Sequence, residues 1–351
     1  MTHMEKIRLG KTNLMVTRLG FGGVPIQRLP EEEAIALVGK SLDLGVNLIY
    51  TANSYTNSED RIGKAINGRR DQLILATKSF SRSKGALKEH IYLSLRRLGV
   101  DYLDLYQFHG VSDYDTLDMA LNPNGLMSVL NEAKEAKIIR HIGITSHSID
   151  VAKEAIKSEQ FETVMVPFNF ITCEAADELL QLTREYDVGF IAMKPFAGGK
   201  ITEATIAFKY LFQFPDVVPI PGIENDGEME ELVQILEGSH ELTETENNKM
   251  QLMRDELGTQ FCRRCDYCQP CTVGIPISSA LTISNPEKRM PPERLFYGWI
   301  DEILGKAAEC TQCGDCEERC PYNLPIREML IKEVEWYQEE KIKYQKQLVG
   351  D

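Results

Sequence analysis

Two periodicities alternate along the first two thirds of the chain. Short Val/Ile/Leu-rich runs, each about 4–8 residues long, recur between stretches whose apolar residues fall at spacings of three and four. The runs are VTRLGFGG (16–23), VNLIYTA (46–52), DQLILATK (71–78), YLDLYQFH (102–109), IRHIGITS (139–146), TVMVPFNF (163–170), VGFIAMK (188–194) and VVPIPG (217–222). Their unbroken apolar character predicts strands buried on both faces, as in a parallel sheet. Amphipathic patterns predict helices over 30–45, 58–66, 84–99, 125–137, 148–158, 175–186, 201–214 and 226–237. Eight βα units in sequence, with no second sheet type, predict an α/β fold: a TIM (β/α)8 barrel. A doubly wound open sheet is the competing architecture. It usually has fewer strands, and no G-x-G-x-x-G follows the first run.

Beyond residue 237 the pattern changes. Thr243 and Glu246 form a capping box that predicts a helix over about 244–257. The stretch 326–348 reads as a helix rich in charge, most simply a solvated face. Between them lies a segment dense in cysteine. A chain of 351 residues has room for about two domains, and the expected division is 1–240 and 241–351.

Composition narrows the function. Apolar residues make up 43% of the chain and charged residues 26%, which gives a folded core rather than global disorder. A net charge of −14 argues against nucleic acid or an anionic membrane as partner. No apolar run approaches about 18 residues, and MTHMEKIRLGKTNL lacks the apolar stretch of a signal peptide. A cytoplasmic location is expected. In a reducing compartment, nine cysteines point to metal or redox work rather than disulfides.

Eight of the nine cysteines lie beyond residue 260, in two runs. CRRCDYCQPC (262–271) sets a thiol at every third position, and CTQCGDCEERCP (310–321) has the bacterial ferredoxin spacing C-x2-C-x2-C-x3-C-P. Both runs continue alike: CTVGIPI (271–277) and CPYNLPI (320–326) each read Cys, three residues, Ile or Leu, Pro, Ile. This is an internal duplication. In duplicated ferredoxin-like units the fourth cysteine reaches the other cluster. That logic assigns Cys262, Cys265, Cys268 and Cys320 to one [4Fe–4S] cluster, and Cys310, Cys313, Cys316 and Cys271 to a second. The first run departs by having two residues before Cys271 and Thr272 where Pro would stand. Zinc is the competing reading of C-x2-C pairs, though its pairs are commonly separated by a longer spacer. Cys173, in FITCEAA, reads as a packed core residue.

In barrel enzymes the chemistry gathers at the C-terminal ends of the strands. Those ends carry Tyr50 to Tyr55, Lys78, His109, Thr145 with Ser146 and His147, Asn169, and Lys194. A phenol, an ammonium and an imidazole together suit carbonyl reduction, in which hydride transfer leaves an alkoxide needing a proton. A nearby ammonium lowers the pKa of a phenol from near 10, and a histidine holds the carbonyl oxygen. In this reading Tyr55 is the general acid/base, Lys78 tunes it and His109 orients the substrate.

GFGG (20–23), GVNLIYTANSYTNSE (45–59), LATKS (75–79), LYQFH (105–109), IGITS (142–146) and MKPFAGG (193–199) resemble the aldo-keto reductases, in family order over residues 1–237. With the cysteine runs, the chain is similar to the branch that carries a C-terminal ferredoxin-like 4Fe–4S domain. The resemblance implies a nicotinamide cofactor bound without a Rossmann fold. It also implies a Tyr–Lys–His–Asp site and cofactor contacts at Thr145, Ser146, Asn169, Met193, Lys194, Phe196, Gly198, Gly222 and Glu228. Tyr55, Lys78 and His109 match the tetrad, but Tyr50 stands where the family has the aspartate that pairs with the lysine. No other carboxylate is evident, since strand alternation puts Asp104 on the face opposite His109.

The segment PGIENDGEMEEL (221–232), with Glu224, Asp226 and Glu228 and no Lys or Arg, favours NAD(H) over NADP(H). Met193 and Met165 occupy places where the family has a stacking aromatic and a carboxamide-binding glutamine. Val24, Pro25, Phe80, Phe168 and Phe196 are candidates for an apolar substrate pocket. The expected activity is nicotinamide-linked carbonyl or alcohol chemistry coupled to one-electron transfer through the clusters, with a small carbonyl or alcohol substrate and an electron-carrier protein as partners. The alternatives are an iron–sulfur protein whose barrel has lost hydride transfer, and a reductase with purely structural clusters.

Overall fold

The computed structural model describes residues 4–283 and 292–349. They form two compact units, one reaching to Met250 and the other starting at Gln251. The division falls inside the helix Glu244–Gly258. Thr243 and Glu246 cap that helix reciprocally, Glu246 N–H donating to Thr243 Oγ1 at 3.2 Å and Thr243 N–H to the Glu246 carboxylate at 2.7 Å. Lys209 holds Glu246 at 2.8 Å, which ties the start of the helix to the first unit.

The first unit opens with an antiparallel hairpin of β1 (Lys6–Arg8) and β2 (Met15–Thr17). This second sheet departs from the expectation of a single one. The run 16–23 is divided: its first residues pair with the hairpin and only β3 (Phe21–Gly22) joins the main sheet. Leu9 and Val16 pack into the same apolar cluster as the interior of that sheet.

The main sheet is parallel and runs from β3 through β4 (Leu48–Tyr50), β5 (Ile74–Ser79), β6 (Leu103–Phe108), β7 (Ile139–Thr145), β8 (Thr163–Pro167) and β9 (Gly189–Met193) to β10 (Val217–Pro219), in chain order. Its two ends meet. Gly22 bridges Gly222, Gly20 N–H donates to Pro219 O at 3.0 Å, and Gly22 N–H donates to Pro221 O at 2.8 Å. The seam requires glycine, because a Cβ on Gly22 would lie 2.6 Å from Pro221 O, and one on Gly222 would lie 2.7 Å from Pro25 Cγ. An eight-stranded parallel sheet closed in this way is the expected TIM barrel.

Leu48, Tyr50, Ala76, Leu105, Met165, Ile191 and Val218 fill the interior. Small Ala76 is the register neighbour of bulky Tyr50, which lets the ring lie inside. One helix, Tyr114–Leu121, was not expected from the pattern. It buries only Leu117 and Ala120, so its apolar stripe is thin, and its start rests on Asp113 accepting from Thr116 N–H at 2.7 Å.

The second unit is helical among the described residues, with Trp299–Ala307 and Ile326–Val349 its longest helices after residue 258. Cys262, Cys268, Cys316 and Cys320 are buried with Ile275, Ile277, Ile300, Leu304, Leu324 and Ile326. Among the described residues no helix is long and apolar enough to cross a membrane.

Candidate active site at the barrel rim

The strands bring Tyr55, Lys78 and His109 together. Lys78, at the end of β5, is buried, and its Nζ lies 4.6 Å from the centre of the Tyr55 ring. Tyr55 meets His109 edge to face, with ring centres 6.1 Å apart. Phe80 stacks on the other side of the imidazole at 3.5 Å. Tyr55 follows β4, Lys78 lies near the end of β5 and His109 follows β6, so the pairing of three adjacent strands makes them neighbours.

Tyr50 completes the group in a way the sequence left open. Its side chain points into the barrel, and Lys78 Nζ lies 4.1 Å from its ring centre. The hydroxyl does not reach for the ammonium; it donates to Gln107 Oε1. Gln107 Nε2 in turn donates to Thr163 Oγ1 at 2.9 Å. The lysine donates to Thr51 O at 2.9 Å. Burial drives the Lys78 ammonium well below its ordinary pKa, with only a partial countereffect from Glu59. Burial, reinforced by Tyr55, pushes the Tyr50 phenol well up, so Tyr50 stays neutral.

Glu59 and Gln107 adjoin this group, and neither was among the expected site residues. Glu59 is buried beneath the rim, accepting from Thr77 Oγ1 at 2.8 Å and pairing with Arg97 at 3.3 Å. A carboxylate on the inner face of the amphipathic stretch 58–66 was the available signal. Asp104 is held away from the site by Arg70 at 2.7 Å and Arg140 at 2.9 Å, in keeping with strand alternation.

The remaining rim residues are placed as follows. Thr145 Oγ1 accepts from Gly110 N–H at 2.8 Å. Ser146 donates to Ser148 O at 3.0 Å. Asn169 Nδ2 donates to Lys194 O at 2.9 Å, while its Oδ1 caps the turn through Ile171 and Thr172 N–H. Lys194, Ala197 and Gly198 adopt positive φ, giving the β9 loop its sharp path. Met193 packs on the barrel core, and Met165 lies within it. The Glu228 carboxylate accepts from Glu224 N–H at 2.7 Å. The acidic segment after β10 also gains a cation from elsewhere, since Arg28 sits 3.1 Å from Glu224. Of the apolar candidates, Phe168 is a core residue, fully buried against Phe190, Tyr210 and Phe214 rather than lining a pocket. Phe196 packs on Phe208 at 5.3 Å, whereas Phe80 is 51% exposed beside His109.

Residues 18–206 match the profile of the Aldo/keto reductase family. The chain belongs to that family. Its members are oxidoreductases, and the barrel described above carries their fold. Over 214 residues the chain is 31% identical to the uncharacterized oxidoreductase YqkF of Bacillus subtilis, covering 57% of this chain and 67% of that one. It is 27% identical over 239 residues to the NADH-specific methylglyoxal reductase of Escherichia coli, covering 59% and 72%. Among solved structures, the holo form of aldo-keto reductase AKR11C1 from Bacillus halodurans superposes with a TM-score of 0.62 at 27% identity, covering 72% of this chain and 96% of that one. An aldo/keto reductase from Klebsiella pneumoniae, solved with NADP and acetate, shares the fold at 20% identity and a TM-score of 0.61, covering 72% and 96%.

The family match ends before the two cysteine runs, yet this aldo/keto reductase repeats one backbone path there. In Cys262-x-Arg264-Cys265-Asp266-x-Cys268, Arg264 and Asp266 have φ of 62° and 62°. In Cys310-x-Gln312-Cys313-Gly314-x-Cys316, Gln312 and Gly314 have φ of 60° and 91°. The tails match too: Gly274 N–H donates to Cys271 O at 3.0 Å with φ 77°, and Asn323 N–H donates to Cys320 O at 3.2 Å with φ 51°. Helices then start at Ile277 and Ile326. Non-glycine residues seldom take positive φ, so their recurrence at equivalent positions extends the duplication from sequence to conformation.

Cys271, Cys310, Cys313 and Cys316 line one cavity, together with Cys268, Ile275, Ile277 and Leu330. Cys265 interacts electrostatically with Cys320, and Cys268 with Cys262 and Cys265. Burial, followed by the neighbouring thiols, pushes the Cys268 thiol up to about 12. Among the described residues no three His, Cys, Asp or Glu side chains gather closely enough to hold a single metal ion.

Proposed function

We propose that the protein is a nicotinamide-linked oxidoreductase acting on a small carbonyl or alcohol, with two [4Fe–4S] clusters in its second unit that exchange single electrons with a carrier protein. The observation that carries the first part is the convergence of Tyr55, Lys78 and His109 from three strands. Tyr55 gives or takes the proton at the substrate oxygen, His109 holds that oxygen, and Phe80 fixes the imidazole by stacking. A bound nicotinamide supplies the hydride. Thr145, Ser146, Asn169, Met193, Lys194, Phe196, Gly198, Gly222 and Glu228 are the residues assigned to hold it. NAD(H) is favoured by the carboxylates of Glu224 and Glu228 and by the relative named as NADH-specific, against which Arg28 beside Glu224 supplies one positive charge.

The cluster assignment rests on the repeated cysteine loops. Alternating handedness along such a loop turns successive N–H groups toward a common anion, which suits sulfide and thiolate. One assigned ligand set, Cys271, Cys310, Cys313 and Cys316, lines a single cavity, with Cys268 of the other set also in its wall. Cys262, Cys265, Cys268 and Cys320 are the ligands of the other cluster.

Anaerobically purified protein tests the whole reading. Expected are iron and acid-labile sulfide near four of each per cluster, tighter binding of NADH than NADPH, and aldehyde-dependent oxidation of NADH. Tyr55→Phe should cut that turnover about 10²–10⁴-fold while cofactor binding persists. Protein that holds iron and binds NADH but turns over no carbonyl would assign the barrel to a non-reducing role.

A further inference from the structure

The two cysteine loops differ at one position whose side chain reaches a ligand sulfur. Thr272 follows Cys271, and in the duplication its counterpart is Pro321, which follows Cys320. Thr272 Oγ1 lies 3.8 Å from Cys313 Sγ, within range of a hydrogen bond to sulfur. When Cys313 ligates iron its sulfur has no proton, so the hydroxyl is the donor. Proline offers neither a hydroxyl nor an N–H. The duplicated unit thus gives one set of ligands a side-chain donor and denies the equivalent donor to the other.

We propose that Thr272 sets the redox balance between the two halves, by donating to Cys313 and raising the reduction potential of the cluster held by Cys271, Cys310, Cys313 and Cys316. This rests on the cluster reading above. Reduction adds one electron, and with it negative charge, to a cluster whose thiolates share it; a donor to a ligand sulfur stabilises that reduced form more than the oxidised one. Thr272 is a positioning and tuning residue, not a ligand. Thr272 and Cys313 are both exposed, so the hydroxyl competes with water for the sulfur.

The test is a reductive titration of anaerobic holoprotein with dithionite, read by electron paramagnetic resonance, for wild type, Thr272→Val and Thr272→Ser. Valine keeps the shape and removes the hydroxyl; serine keeps the hydroxyl. The expected result is a shift of one cluster's wave to lower potential in Thr272→Val, with the other wave unmoved and Thr272→Ser matching wild type. Thr272→Ala serves the same purpose should valine impair cluster assembly. Unchanged waves in both hydroxyl-free variants, or an equal shift of both waves, would overturn the inference. Iron and sulfide assays on wild type separate this failure from the failure of the cluster reading itself.

Discussion

The Lys78 ammonium lies between two phenol rings, 4.1 Å from the centre of Tyr50 and 4.6 Å from that of Tyr55. A π face attracts a cation, by roughly 2 kcal/mol or more when desolvated, but less than a buried carboxylate would. Tyr50 thus meets the lysine through a cation–π contact and not an ion pair. Burial leaves the lysine biased toward its neutral form. Tyr50→Asp supplies a carboxylate, favours the ammonium and should raise carbonyl turnover about tenfold. The lost ring should also cost roughly 3–5 kcal/mol of stability. Steady-state kinetics across pH, alongside thermal melts, measure both; a fall in turnover in folded protein would refute this account of the position.

Tyr50→Phe separates the ring from the hydroxyl. The contact to Lys78 persists, while Gln107 Oε1 loses its buried donor. Stability should drop by about 1–3 kcal/mol, with the pH–rate profile close to wild type.

Gly143 makes the Tyr50–Gln107–Thr163 chain of hydrogen bonds sterically feasible. A Cβ there would lie 2.1 Å from Thr163 Oγ1 and 2.8 Å from Gln107 Nε2. Gly143→Ala should therefore displace Gln107 and destabilise the barrel by about 1–3 kcal/mol, measurable by urea unfolding. A variant as stable as wild type would show that the chain of bonds has slack.

Glu162 gives the barrel a defined acid limit. Burial raises its pKa, but hydrogen bonds from His141, Lys134 and the Ile142 N–H outweigh this and hold it at about 2, against an ordinary 4.5. Its folded pKa is depressed, so the stabilisation is present above 4.5 and lost as pH falls toward 2. The full contribution is roughly 3 kcal/mol. Glu162→Gln should abolish this part of the pH dependence in melts run across that interval.

The ligand sets predict unequal partners for the fourth cysteines. Under the proposed assignment, Cys320→Ser should disturb the cluster of Cys262, Cys265 and Cys268, and Cys271→Ser the other, each lowering iron content by up to about half. Spectra that change identically in the two variants would argue against the crossed assignment.

The linear sequence determined the element types, because a strand or helix buried in a barrel must carry its apolar period locally. All eight runs from VTRLGFGG to VVPIPG contribute to the main sheet. The cysteine spacing and the Cys-x3-(Ile/Leu)-Pro-Ile repeat were equally local. The hairpin of Lys6–Arg8 with Met15–Thr17 and the helix Tyr114–Leu121 escaped because each buries too few residues to show a period. Tertiary structure alone decided where Tyr50 points, since the same residue could face the ammonium or turn its hydroxyl elsewhere. Gln107, two strands away, fixed the answer by supplying an acceptor. It likewise decided that Glu59 acts on Lys78, that Arg28 meets Glu224 and that Thr272 reaches Cys313. Each pairs residues distant in the chain, and no local pattern records a distance that only closure of the fold creates.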